Sequence, residues 1–180
     1  MKFKVQNMIL STSINREIKL DELSVKLDKS EYEPEQFPGL VYRTEEPKSG
    51  ILLFSSGMLN ITGVKSVAQA RKVFNQVIKI LRSYGVRVKK KSVLKIQNIV
   101  ATVNIGKEIN LDKIGFYFQN TEYEPEQFPG LVYRMDDPHV VFLLFSSGNV
   151  VCVGAKKVDD IKKGINKLVR QLRKIPKIGH

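Results

Sequence analysis

The chain is poor in the residues that carry most metal, redox and nucleophilic chemistry. Its 180 residues include one cysteine, two histidines and no tryptophan. The single thiol, Cys152, excludes an internal disulfide framework and any CxxC metal motif. His139 and His180 are too few for a histidine-based metal centre. Long apolar runs are missing too. The longest, Val140 to Phe145, falls far short of the roughly 20 residues a membrane-spanning helix needs. Residues 1–10 mix charged and apolar side chains, so no signal peptide is expected and the chain reads as soluble and intracellular. Neither a Walker motif nor GxGxxG occurs. Ser55-Ser56-Gly57 has no base at a plausible spacing, and the paired glutamates have no histidine beside them. The expectation is a protein that is not an enzyme and needs no cofactor or metal.

What is present is globular. Hydrophobic residues make up 42% and charged residues 27%, and a chain of this length buries about two thirds of its surface on folding. Lysine and arginine number 30 against 18 aspartates and glutamates, a net charge of +12. Such an excess favours polyanionic partners, either nucleic acid or an anionic membrane surface.

The chain is one unit written twice. Glu31-Tyr-Glu-Pro-Glu-Gln-Phe-Pro-Gly-Leu-Val-Tyr-Arg43 recurs unchanged as Glu122 to Arg134, an offset of 91. The same offset carries Gln6-Asn7 onto Gln97-Asn98, Leu52–Gly57 onto Leu143–Gly148, and Gly63 and Lys65 onto Gly154 and Lys156. Over residues 1–89 against 92–180, 35 of 89 positions are identical. Two copies are too few for a solenoid. They predict a first repeat over 1–91 and a second over 92–180, paired about a pseudo-two-fold as subunits of a homodimer would be.

Each repeat reads as strand, helix, four strands, helix. The strands are expected near 3–13, 31–33, 40–45, 51–56 and 58–64, with turns at Pro47/Gly50 and Gly57 and a loop from Pro34 to Gly39. A short helix is expected over 20–28, with Asn110 as N-cap of its second copy. A longer helix fits 67–83, where Ser66 and Gln69 have capping-box spacing and Gly85 ends the run. Its stripe of Ala70, Val73, Phe74, Val77 and Leu81 matches Ile161, Ile165, Leu168 and Leu172 in the second copy. One stripe per helix predicts that the helices cover only one face of an antiparallel sheet.

The other face decides function. Along 52–62 one set of side chains is Leu52, Phe54, Ser56, Met58, Asn60 and Thr62; the opposite set includes Leu53, Leu59 and Ile61. The set with Leu59 and Ile61 suits packing under helices, and the other is polar enough to meet a ligand yet carries a large ring. An uncovered face with large apolar groups is a binding surface or an aggregation liability. The alternative swaps the faces and buries the phenylalanines.

These residues resemble a known family. The Gln-Asn strand start, the Glu-Tyr-Glu-Pro-Glu-Gln-Phe-Pro-Gly-Leu-Val-Tyr-Arg block, the Phe-Ser-Ser-Gly turn and the Thr-Gly-x-Lys strand end look like the TATA-binding protein family in its archaeal form, over essentially the whole chain. The resemblance implies an α+β saddle: a curved ten-stranded antiparallel sheet with four helices on the convex side and the DNA minor groove on the concave side. It implies an intracellular, DNA-associated factor, in the archaeal cytoplasm or nucleoid, or in the nucleus of a eukaryote.

It also implies roles. Phe37 with Phe54, and Phe128 with Phe145, match the intercalating pairs, whose flat rings replace lost base stacking. Asn7 and Asn98 match amides that donate to minor-groove acceptors, where guanine's amino group would obstruct. Ile9 and Val100 match apolar contacts to the groove floor, and Leu52, Leu143, Asn60, Thr62, Val151 and Val153 complete the base-contacting surface. Arg43, Arg134, Lys65, Lys156, Ser56 and Ser147 match phosphate contacts, which fix register without reading sequence. Glu124 and Glu126 match the surface bound by a transcription factor B-like protein, through which RNA polymerase is recruited. Glu33 and Glu35 are their counterparts in the first repeat. No membrane partner is implied, and the exposed face could associate with itself without DNA.

Four positions depart from the family. Met58 and Asn149 stand where lysine is usual, Asn60 where valine is usual, and Val153 where threonine is usual. Met58 and Asn149 weaken one phosphate contact per repeat, and Asn60 and Val153 leave open a second reading, a protein-docking adaptor on this fold that no longer reads DNA.

Overall fold

The computed structural model describes residues 1–88 and 92–177. The chain divides into two compact units: Asn7–Gln97, here the N-terminal unit, and Met1–Gln6 with Asn98–His180, the C-terminal unit. The division places the opening residues of the first strand with the second repeat, and the closing residues before Asn98 with the first.

The N-terminal unit contains β1 (Lys4–Ser13) from Asn7 onward, with α1 (Leu20–Lys26), β2 (Ser30–Glu31), β3 (Leu40–Glu45), β4 (Lys48–Leu53), β5 (Met58–Val64) and α2 (Val67–Ser83). Its strands run in the order β2-β3-β4-β5-β1, every pair antiparallel. The C-terminal unit repeats the plan with β6 (Lys95–Asn104) from Asn98 onward, α3 (Leu111–Tyr117), β7 (Thr121–Glu122), β8 (Leu131–Met135), β9 (Val140–Leu144), β10 (Asn149–Ala155) and α4 (Val158–Arg173). Its order is β6-β10-β9-β8-β7, also antiparallel throughout.

Local chemistry accounts for the helix starts. Ser66 Oγ accepts from Gln69 N at 3.1 Å, while Gln69 Oε1 accepts from Lys65 N at 2.8 Å, so α2 begins with two donors satisfied. Asn110 Oδ1 accepts from Lys113 N at 2.9 Å and starts α3. In α4 the residue at the N-cap is Lys157, which makes no side-chain cap, and Asp159 and Asp160 in the first turn complement the helix dipole instead.

One expected strand is displaced. Turn signals at Pro47 and Gly50 predict the fourth strand near 51–56. The turn is confined to Glu46–Pro47, and β4 starts at Lys48. Gly50 lies in the ladder, opposite Arg43 on one side and Thr62 on the other. A Cβ there would sit 3.3 Å from Thr62 Cγ2, so the glycine reflects close cross-strand packing, not a turn. The strand stops at Leu53 because Phe54 N donates to Met58 O at 2.9 Å and Gly57 N to Phe54 O at 2.9 Å, which closes the next turn.

The core of each unit lies between its sheet and its helices. Leu40, Ile51, Leu53, Leu59 and Ile61 are buried, as are Ala70, Val73 and Leu81 of α2, which packs on β5. In the C-terminal unit Leu131, Phe142, Leu144, Val150 and Cys152 meet Ile161, Ile165 and Leu168 of α4, which packs on β9 and β10. One pair of positions is exchanged in size between the repeats. Ile51 and Val73 of the first correspond to Phe142 and Gly164 of the second, and all four are buried. A Cβ on Gly164 would lie 3.1 Å from Phe142 Cζ and 3.3 Å from Val140 Cγ2. The missing side chain of α4 is thus the space the Phe142 ring fills. Gly164→Val should destabilise the protein by about 1–3 kcal/mol through overpacking, despite valine's better helix propensity. Pairing it with Phe142→Ile should recover most of that loss, and thermal melting of the single and double variants checks both.

Candidate nucleic-acid interface

In each unit one sheet face is left uncovered by helices, and its side chains form matching cross-strand rows. Ladder pairing puts Ser11, Asn60, Leu52 and Val41 side by side in the N-terminal unit. Thr102, Val151, Leu143 and Val132 form the same row in the C-terminal unit. Leu52, Asn60, Thr62, Leu143, Val151 and Val153 are half-buried, whereas their strand neighbours Leu53, Leu59, Ile61, Leu144, Val150 and Cys152 are buried. Ile9 and Val100 are half-buried between buried neighbours on β1 and β6. Cys152 belongs to the helix-covered face, and burial pushes its thiol up to about 12, so it stays protonated and unreactive.

Asn7 and Asn98 sit beside a sheet irregularity. The β1–β5 register shifts between Met8 and Leu10, and the β10–β6 register shifts between Cys152 and Ala155. Each shift contains a glycine at positive φ: Gly63 at 88° and Gly154 at 91°. A bulge of this kind takes a backbone N–H out of the ladder. Asn7 Oδ1 accepts from Gly63 N at 2.7 Å, and Asn98 Oδ1 accepts from Gly154 N at 2.8 Å. The amide orientation follows from this bond. The carbonyl is occupied by the main chain, so the NH₂ is the end left for other partners. In the N-terminal unit it makes a long contact of 3.4 Å to Thr62 Oγ1; Val153 offers no acceptor at the equivalent place. One side chain thus caps the bulge through its carbonyl and keeps its NH₂ off the main chain.

The four phenylalanines form two pairs. Phe37 and Phe54 have ring centroids 6.0 Å apart at 67°, and Phe128 and Phe145 have centroids 5.9 Å apart at 72°. Both are edge-to-face arrangements. Phe37 and Phe128 are 40% and 41% exposed, and Phe54 and Phe145 are half-buried, so all four rings lie outside the core. The Glu-Pro-Glu-Gln-Phe loop is a single tight turn in both copies. Phe37 N donates to Glu33 O at 2.9 Å and Phe128 N to Glu124 O at 3.0 Å. Gly39 and Gly130 let the rings approach: a Cβ would come within 2.8 Å of Phe37 Cε1 or Phe128 Cε1.

The remaining expected contacts are exposed. Arg43 and Arg134 share a face with Val41 and Val132, Lys65 and Lys156 follow the bulged strands, and Ser56 and Ser147 occupy the Phe-Ser-Ser-Gly turns. Ser56 Oγ accepts from Met58 N at 3.3 Å and Ser147 Oγ from Asn149 N at 3.4 Å, which leaves each hydroxyl proton free to donate. The arginines are already paired: Arg43 Nη1 lies 3.2 Å from Glu31 Oε1, and Arg134 Nη1 lies 3.3 Å from Glu122 Oε1. Exposed pairs of this kind contribute little to stability, about 0–1 kcal/mol. Their effect is to hold a guanidinium in place while most of its five donors stay free.

Sequence reading missed those two carboxylates, together with Val41 and Val132 at the ends of the rows. It also missed two glutamine bonds, Gln6 Nε2 to Thr102 Oγ1 at 2.9 Å and Gln97 Nε2 to Ser11 Oγ at 2.7 Å. The 91-residue offset relates Gln6 to Gln97 and Ser11 to Thr102. Persistence of a polar pair through both repeats was the available signal. Of the departures, Met58 is 41% exposed, while Asn149 Oδ1 accepts from Asn104 Nδ2 at 2.6 Å. Glu33, Glu35, Glu124 and Glu126 are all exposed at the loops.

Comparison with known proteins gives a single answer. A family model described as transcription factor TFIID, or TATA-binding protein, matches residues 2–84 and again 93–175. The TATA-box-binding protein of Archaeoglobus fulgidus is 46% identical over 174 residues, spanning 96% of this chain and 95% of that protein. That of Methanocaldococcus jannaschii is 46% identical over 177 residues, 98% and 97% of the two chains. The solved structure of Methanococcus jannaschii TBP superposes with a TM-score of 0.92, covering 97% of this chain and all of that one at 46% identity. The match bears out the expected α+β class, with ten antiparallel strands and four helices among the described residues. No described helix is long and apolar enough to cross a membrane. The family consists of DNA-binding transcription factors and not of enzymes. This chain, matched in both repeats and along nearly its whole length, belongs to the TATA-box-binding protein family.

Proposed function

We propose that this chain is a transcription initiation factor that binds the minor groove of A·T-rich promoter DNA. The observation that carries this reading is the repeated constellation on each uncovered face: a fixed amide donor, an apolar row and an edge-to-face phenylalanine pair. An A·T minor groove presents only the acceptors adenine N3 and thymine O2, and lacks the guanine amino group. Asn7 and Asn98 supply donors to those acceptors, and Leu52, Leu143, Ile9 and Val100 supply the apolar floor. Phe37 with Phe54, and Phe128 with Phe145, are the wedges that unstack base steps and kink the duplex. Arg43, Arg134, Lys65 and Lys156 meet phosphates, with Ser56 and Ser147 as neutral donors. Each phosphate neutralised contributes about −0.9 to the slope of log affinity against log salt.

Competition gel shifts test the reading. The chain should prefer an A·T-rich duplex to a G·C-rich one of equal length, and equal affinity for the two would overturn it. Asn98→Asp keeps an acceptor for Gly154 N–H and removes the donor. It should weaken A·T binding by about 1–3 kcal/mol while leaving the melting temperature nearly unchanged.

Bending depends on the rings. Phe128→Ala should reduce the bend measured by fluorescence transfer between duplex ends, and weaken binding by up to a few kcal/mol, because unstacking is no longer compensated. Since Phe128 is 41% exposed, the loss of folding stability without DNA should be small. A large drop in melting temperature would place the ring in the core and contradict the role.

The Glu124–Glu126 loop is the docking point for a transcription factor B-like protein, which brings RNA polymerase. Two exposed carboxylates in a chain of charge +12 suit a basic partner surface, and rim charges set association rate and specificity. Reversing both, Glu124→Arg with Glu126→Arg, should abolish the ternary complex in gel shifts and leave the binary DNA complex intact. The same change at Glu33 and Glu35 should have much less effect; equal loss from the two would contradict one-sided docking.

A further inference from the structure

The two uncovered faces differ in polarity at their centre. Across the matching rows, Val41 equals Val132, Leu52 equals Leu143, and Ser11 and Thr102 each accept a hydrogen bond from a glutamine. The fourth pair breaks the pattern, with Asn60 facing Val151 in the alignment. Asparagine is disfavoured in strand interiors, where valine is preferred. Among the described residues no hydrogen bond engages the Asn60 amide, although its cross-strand neighbours Ser11 and Leu52 lie directly beside it. The fold therefore gives this side chain no task of its own.

Resting on the minor-groove reading above, we propose that Asn60 makes the N-terminal unit accept a G·C pair at one position, where the C-terminal unit requires A·T. When a duplex covers the face and expels water, every amide group without a partner incurs a desolvation penalty. An A·T pair offers acceptors for Asn60 Nδ2 but nothing for Oδ1. A G·C pair offers an acceptor and, from the guanine amino group, a donor to Oδ1. Asn60 is thus fully satisfied only at G·C. Val151 accepts nothing, so a guanine amino group against it is left unpaired.

The test is a binding scan. Wild type, Asn60→Val and Val151→Asn are measured against an all-A·T duplex and against duplexes carrying one G·C pair at each successive position. Each substitution installs the residue already present in the other repeat. Thermal melting of both variants confirms folding before binding is scored. Wild type should lose no more than about threefold at one position and on the order of tenfold or more at the others. Asn60→Val should turn the tolerant position into an intolerant one, and Val151→Asn should create a second tolerant position. A wild-type scan with equal losses at every position, or an Asn60→Val scan identical to wild type, overturns the proposal. The all-A·T duplex separates this from the function itself. A chain that binds it with a flat scan keeps promoter recognition and loses only the role of Asn60, and a chain that binds no duplex loses both.

Discussion

Two short-looped helices can shield only one face of a five-stranded sheet, and the rest of each unit is built around that constraint. The shielded face takes the fully buried Leu53, Leu59 and Ile61, or Leu144, Val150 and Cys152. Full burial of a leucine or isoleucine side chain contributes about 1.5–3 kcal/mol, so a slip of one residue in strand register would move a whole row of such groups into water. The same alternation commits the other face to half-buried Leu52, Leu143, Val41 and Val132, which gain much less from folding alone. Stability is thus concentrated on one side of the sheet, and the open side is free to be shaped by what it binds.

The bulge at Gly63 and Gly154 ties the two requirements together. A regular ladder would have used every main-chain donor on β5 and β10. The register shift frees one N–H, and the asparagine seven residues into each repeat answers it through its carbonyl. An unpaired N–H would cost more than the bond contributes, so the structure fixes the amide in one orientation. That orientation leaves the NH₂ end uncommitted to the main chain. The orientation of this amide therefore comes from satisfying a local backbone demand, and replacing the asparagine by an apolar residue would leave the bulge N–H unpaired.

Much of this was legible in the sequence, for identifiable reasons. The 91-residue offset doubled every weak signal, so a phenylalanine in a Pro-Gly loop or an asparagine near a strand start could be weighed twice. Helix α2 is legible over 67–83 because its stripe, its Ser66 cap and its terminal glycine agree on one answer. The strand at β4 was misplaced because Gly50 carries a turn signal but serves as a spacer beneath Thr62, and a glycine's two uses look alike in sequence. The Arg43–Glu31 and Arg134–Glu122 pairs escaped for another reason. They join side chains 12 residues apart through strand pairing, and a pairing register is invisible until the strands are laid side by side.

Duplication also explains why departures are informative. Where both repeats keep a residue, packing, ligand and history all give the same account, and none can be isolated. Ile51 with Val73 against Phe142 with Gly164 is a departure that closes on itself: one side chain grows where its neighbour shrinks, and the helix-to-sheet spacing is kept. Asn60 against Val151 has no such compensation. Of its row neighbours, Leu52 is kept as Leu143 and Ser11 becomes the chemically similar Thr102; Asn60 makes no internal hydrogen bond among the described residues, and strand preference argues against it. A core exchange balances inside the molecule. A surface exchange that does not balance inside must be satisfied by water or by a ligand, and beside Leu52 and Ser11, whose hydroxyl already accepts from Gln97, a covering ligand removes the water.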